Sequence, residues 1–149
     1  MIQELLQLYQ NDPRLFQLAD RLSYASTEKN PVFSLDNLQG SASQFVVAAA
    51  FLHPALAQQN HLIILNDPEE AAYFHNTLEN LTEALDLFYF PSSFKNRKNF
   101  QLLNSSHVML RTEALTKLAT GGNKKIIVTS PEALFEKVGL PSTLSQNII

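Results

Sequence analysis

Apolar residues recur three and four apart at Ile2, Leu5, Leu6 and Tyr9, which predicts a helix over Met1 to Tyr9. Asp12 and Pro13 then form a helix-start signal, with a carboxylate at the N-cap and a proline at the first helical position, where its missing N–H costs nothing. Leu15, Phe16, Leu18, Ala19 and Leu22 give this second helix a broad apolar face. Residues 23–30 are polar and predict a loop, and Val32 to Leu38 predicts an extended segment.

A Gly40-Ser41 turn follows, and then an alanine-rich helix through Val46, Val47, Ala48, Ala49, Ala50, Phe51 and Leu52, which His53-Pro54 ends. His61 to Leu65 is short, apolar and β-branched, as a strand buried on both faces would be. It runs straight into Asn66-Asp67-Pro68-Glu69-Glu70, a capped helix start with two acids at the positive end of the dipole. Leu85 to Phe90 predicts another strand, stopped by Pro91, and a helix over Ser106 to Ala119 closes at Gly121-Gly122. Lys125 to Thr129 repeats the buried-strand pattern, followed by a Ser130 cap, Pro131, Glu132 and a helix with apolar Leu134, Phe135 and Val138. Thr143 to Ile149 has the makings of a further strand, and the chain ends as if cut.

Repeated strand-to-capped-helix units with near-continuous apolar strands predict an α/β domain with a mostly parallel sheet covered by helices. In such a sheet ligands sit outside the carboxyl ends of the strands, which is where Gly40 to Gln44, Asn66 to Glu69 and Thr129 to Glu132 are expected to gather. The first 30 residues predict an N-terminal helical appendage, and residues 31–149 the α/β domain, truncated before a following one.

Gly40 to Gln44 has the form of a phosphate-binding loop without its chemistry. The motif G-x-x-x-x-G-K-[ST] needs a lysine for the β and γ phosphates and a hydroxyl for Mg²⁺. Counting from Gly40, the sixth residue is Phe45 and the next two are Val46 and Val47.

Composition narrows the classes further. The 149 residues carry a formal charge of −3, so nucleic acid would have to meet a local patch rather than the field of the whole domain. There is no cysteine, which removes disulfides, thiolate nucleophiles and cysteine-ligated metals. The N-terminus lacks the basic start and apolar core of a signal peptide, and a cytoplasmic location is expected. His53, His61, His75 and His107 lack metal-ligand spacing, so no metal site is expected.

The run from Leu38 to Phe51, Leu62-Ile63-Ile64-Leu65 with its Glu-Glu-Ala helix, Phe90-Pro91, Arg111 to Leu118 and Ile127-Val128-Thr129-Ser130-Pro131-Glu132-Ala133-Leu134 together resemble the N-terminal part of bacterial transcription-repair coupling factors (Mfd). That region is itself similar to the first domain of the excinuclease component UvrB. The resemblance covers Leu35 to Ile149 and none of residues 1–30.

It implies a helicase-like, RecA-related (P-loop-type) domain. Against the UvrB phosphate loop, Asn37 stands at the first glycine, Gly40 at an internal glycine, Ala42 at the last glycine, Ser43 at the lysine and Gln44 at the Mg²⁺-binding hydroxyl; Ser41 lies within the loop. Losing one charge-assisted contact costs roughly 1.5–3 kcal/mol, about ten- to a hundred-fold in affinity. The resemblance therefore implies a degenerate loop, with no cofactor bound here and no catalysis in this fragment. ATP and Mg²⁺ would serve the motor domains of the full-length family, an ATP-dependent DNA translocase. Its partners, by the same resemblance, are the excinuclease component UvrA, RNA polymerase and DNA, together with the other domains of its own chain; no membrane is involved.

In UvrB a long tyrosine-rich hairpin clamps DNA; the corresponding stretch here, Phe90 to Ser106, is short and has no tyrosine. Lys95, Arg97 and Lys98 are candidate DNA or partner contacts, or simply solvated loop cations. Arg111, with Glu113 nearby, is either a buried ion-pair anchor between domains or an ordinary surface residue. Three readings follow: a scaffold in nucleotide-excision repair that supports the neighbouring UvrA-recruiting domain, a nucleotide-dependent ATPase or helicase domain with residual phosphate binding, and a DNA-binding module.

Overall fold

A computed structural model describes residues 1–24, 32–82, 86–94 and 104–138. The chain divides into two compact units, Met1–Gln59 with Thr77–Glu83 and Asn60–Asn76 with Ala84–Ile149.

The first unit is helical. Helix α1 spans Ile2–Gln10, α2 spans Pro13–Ser23 and α3 spans Ala42–Leu52, followed by a single 3-10 turn at Pro54–Leu56. Asp12 caps α2 as its sequence predicts, its carboxylate accepting from the Arg14 amide at 2.8 Å. Leu6, Leu15, Ala19, Phe45, Ala48 and Phe51 are buried, and the alanines of α3 let α1 and α2 pack closely against it. Tyr9 stacks on Phe45 with ring centroids 5.1 Å apart, and Phe16 meets the His53 ring edge-on at 5.6 Å.

Residues 32–39 belong to no strand, and Val32, Leu35 and Leu38 are exposed. The extended segment predicted ahead of the Gly40 turn therefore has no sheet partner. Its polar interruptions at Ser34, Asp36 and Asn37 leave no face apolar enough to bury.

The second unit holds a small all-parallel sheet flanked by helices. Strand β1 is His61–Ile64, β2 is Leu87–Phe90 and β3 is Ile126–Thr129, in the spatial order β1-β3-β2. Helix α4 (Pro68–Leu81), whose residues from Thr77 on belong to the first unit, follows β1, α5 (Ser105–Thr120) comes between β2 and β3, and the one-turn α6 (Pro131–Leu134) follows β3. Parallel neighbours require such crossovers, and the register aligns His61 and Leu87 with Ile126, and Ile64 and Phe90 with Thr129.

Position in the sheet separates strands that look alike in sequence. All four residues of central β3 are buried, whereas Leu62 and Ile64 of edge strand β1 are each 53% exposed. The prediction of a strand buried on both faces is thus corrected for β1 and holds for β3. Phe90, Ala114, Ile127 and Ala133 form a buried cluster, with Phe88 and Leu115 packed on it.

The ends of the helices follow local chemistry. Asp67 caps α4, accepting from the Glu70 amide at 2.8 Å. Asn104 caps α5, accepting from the His107 amide at 3.2 Å. Gly121 and Gly122 terminate α5 with φ of 72° and 99°, a region side chains disfavour. The Lys125 ammonium donates to the carbonyls of Gly121 and Asn123, closing the turn into β3.

The last helix departs from its prediction. Ser130 makes no side-chain capping bond, and the helix stops at Leu134. Leu134, Phe135 and Val138, read from sequence as an inward apolar face, are 42%, 88% and 51% exposed. The predicted strand at Thr143 to Ile149 lies outside the described residues.

Candidate functional site

The segments that leave β1 and β3 at their carboxyl ends, Asn66 to Glu69 and Thr129 to Glu132, emerge from neighbouring parallel strands as predicted. Gly40 to Gln44 does not emerge from a strand, because residues 32–39 form none, and it belongs to the helical unit. The expectation that this loop follows a strand, as the other two segments do, is corrected.

Within the loop, Asn37 and Gly40 both have left-handed backbones, with φ of 62° and 58°, and both are exposed. A Cβ on Gly40 would meet nothing within 4 Å, so the position demands glycine for its backbone and not for a close neighbour. Ser41 stands at the N-cap of α3 without a side-chain bond, and Ala42 is half-buried. Ser43 donates its hydroxyl to the Gln44 side-chain oxygen at 2.9 Å. Gln44 is itself buried.

The most densely bonded polar cluster in the second unit lies past the carboxyl ends of β2 and β3, and Arg111 is its centre. The Arg111 side chain is 6% exposed. Its Nη1 donates to the carbonyls of Pro91 and Ala133, both at 2.9 Å, and its Nε lies 3.4 Å from Oε2 of Glu136. The guanidinium also sits 4.0 Å above the Phe90 ring, a cation–π arrangement strengthened by removal from water.

Glu136 completes the cluster. Its Oε1 accepts from the Ser92 hydroxyl and, at 2.8 Å, from the Ser93 amide. Burial pushes the Glu136 carboxyl up, but the bonds from Ser92 and Ser93 and the Arg111 charge outweigh it and hold the group below the usual carboxylate range. Burial lowers the Arg111 pKa, and the Glu136 charge opposes that shift.

The neighbouring residues extend the network. His107 Nδ1 lies 2.9 Å from the Ser92 carbonyl oxygen, and the Asn104 amide donates to the Ser93 carbonyl at 2.8 Å. The Thr129 hydroxyl donates to the Phe90 carbonyl at 2.7 Å. Tyr89 lies between His75 and His107, with ring centroids 5.6 and 6.5 Å away. The residues after β2, the start of α5 and the segment after β3 are thereby tied together.

Comparison with protein-family models, with curated proteins and with solved structures gave no match for this chain.

Of the candidates read from sequence, the structure places Arg111 in a buried ion pair, and its partner is Glu136 of the same compact unit while Glu113 is exposed. Lys95, Arg97 and Lys98 lie outside the described residues. Ser92, Ser93 and Glu136 carry no motif. The signal that bears on them is indirect: Arg111 shares a helix face with apolar Val108, Ala114 and Leu115, and an arginine buried on such a face needs a carboxylate or carbonyl partner from elsewhere in the chain. Among the described residues no group of three His, Cys, Asp or Glu could hold a metal, and no helix is long and apolar enough to cross a membrane.

Proposed function

We propose that this chain is a non-catalytic scaffold module of a transcription-repair coupling factor, built on a helicase-like, RecA-related domain whose phosphate loop has lost its function. The observation that carries the reading is the occupancy of the sheet's carboxyl end. There the Pro91 and Ala133 carbonyls and the Glu136 carboxylate take up the Arg111 guanidinium, so this buried cation is committed to acceptors of the chain itself. The substitutions at Ser43 and Gln44 support the same reading, since the side chains that replace the lysine and the metal-binding hydroxyl bond to each other.

As a scaffold, the module acts through contacts with other domains of its own chain, and through them with UvrA, RNA polymerase and DNA. Calorimetric titration of Mg²⁺-ATP into the purified chain, at concentrations that detect a sub-millimolar site, is expected to give no heat of binding. A sub-millimolar site abolished by Gly40→Trp would return the chain to the nucleotide-dependent class. Retardation of duplex DNA that persists at physiological salt would favour a DNA-binding module instead.

A further inference from the structure

We draw no further inference here: the strongest candidate, the outward-facing Leu62 and Ile64 on edge strand β1, is an unpartnered apolar stretch of sheet, and nothing in the structure shows what covers it.

Discussion

The starts of α3 and α5 are both helix N-termini, yet they are organised in opposite ways. At α3, Ser41 makes no side-chain capping bond, Gly40 stands in open space, and the neighbouring polar side chains Ser43 and Gln44 bond only to each other. At α5, Asn104 caps through its side chain and holds Ser93 through its amide, and Ser93 in turn donates to Glu136, the partner of Arg111. The first entrance has the outline of a motif and few interactions. The second has no motif and is where the described residues concentrate their long-range polar contacts. The outline of a loop is set by a few backbone angles, whereas a site needs side chains brought in from several segments.

The largest test of this contrast is Arg111→Ala. It leaves two carbonyls without this donor and Glu136 without its countercharge in a buried setting, and removes the cation over Phe90, so a loss of about 3–5 kcal/mol is expected in urea unfolding. A loss under about 1 kcal/mol would mean that the cluster is solvated, and the contrast would fail.

Glu136→Gln keeps the shape and an acceptor but removes the charge opposite Arg111, with an expected cost of about 2–3 kcal/mol. This pair also gives a pH test. The Glu136 carboxyl is held below its ordinary range in the folded chain, so its contribution is fully present above that range and is lost as pH falls through the folded value. The stability gap between the parent chain and Glu136→Gln should therefore narrow in acid; a constant gap would show that the charge plays no part.

Gly40→Ala tests the other entrance. The added methyl meets no neighbour, so only the left-handed backbone resists it, at about 1–2 kcal/mol. Hydrogen exchange separates this effect from the previous two, because Gly40 and Arg111 belong to different compact units: amides of α3 should lose protection while those of β3 keep theirs. Loss of protection in β3 would overturn the assignment of a purely local role.

Asp12→Ala is the smallest change. The hydrogen bonds from Arg14 hold the Asp12 carboxyl at about 2, so the cap stabilises α2 above the ordinary aspartate range and is lost as pH falls towards that value. The helical unit should show a small loss of helical signal at neutral pH, less than for Gly40→Ala. If Asp12→Ala proved the costlier of the two, a cap bond would outweigh backbone strain at these helix starts.

What the amino-acid order reveals depends on how far apart the deciding residues lie. Asp12-Pro13, Asp67-Pro68 and Gly121-Gly122 act on their own neighbours, and each marks the helix end it predicts. The parallel α/β pattern is also legible, because the strands repeat the same apolar run before a helix start. Burial of a strand is another matter. His61 to Ile64 and Ile126 to Thr129 are alike in composition, and only the order β1-β3-β2 makes one an edge and the other central.

The same limit hid the site. Glu113 is near Arg111 in sequence but two positions on, which places it on a different side of the helix. Glu136 falls in a stretch whose apolar neighbours predict a longer helix, so its inward position appears only when that helix stops at Leu134.

The bond from the Asn104 amide to the Ser93 carbonyl, at 2.8 Å, fastens the start of α5 to the segment that leaves β2. A loop whose two ends are fastened can change length without moving what it is fastened to, and doubling it adds only about 0.6 kcal/mol of closure entropy. A change in the number of residues between Ser93 and Asn104 is therefore expected to leave β2, α5 and the Arg111 cluster in place.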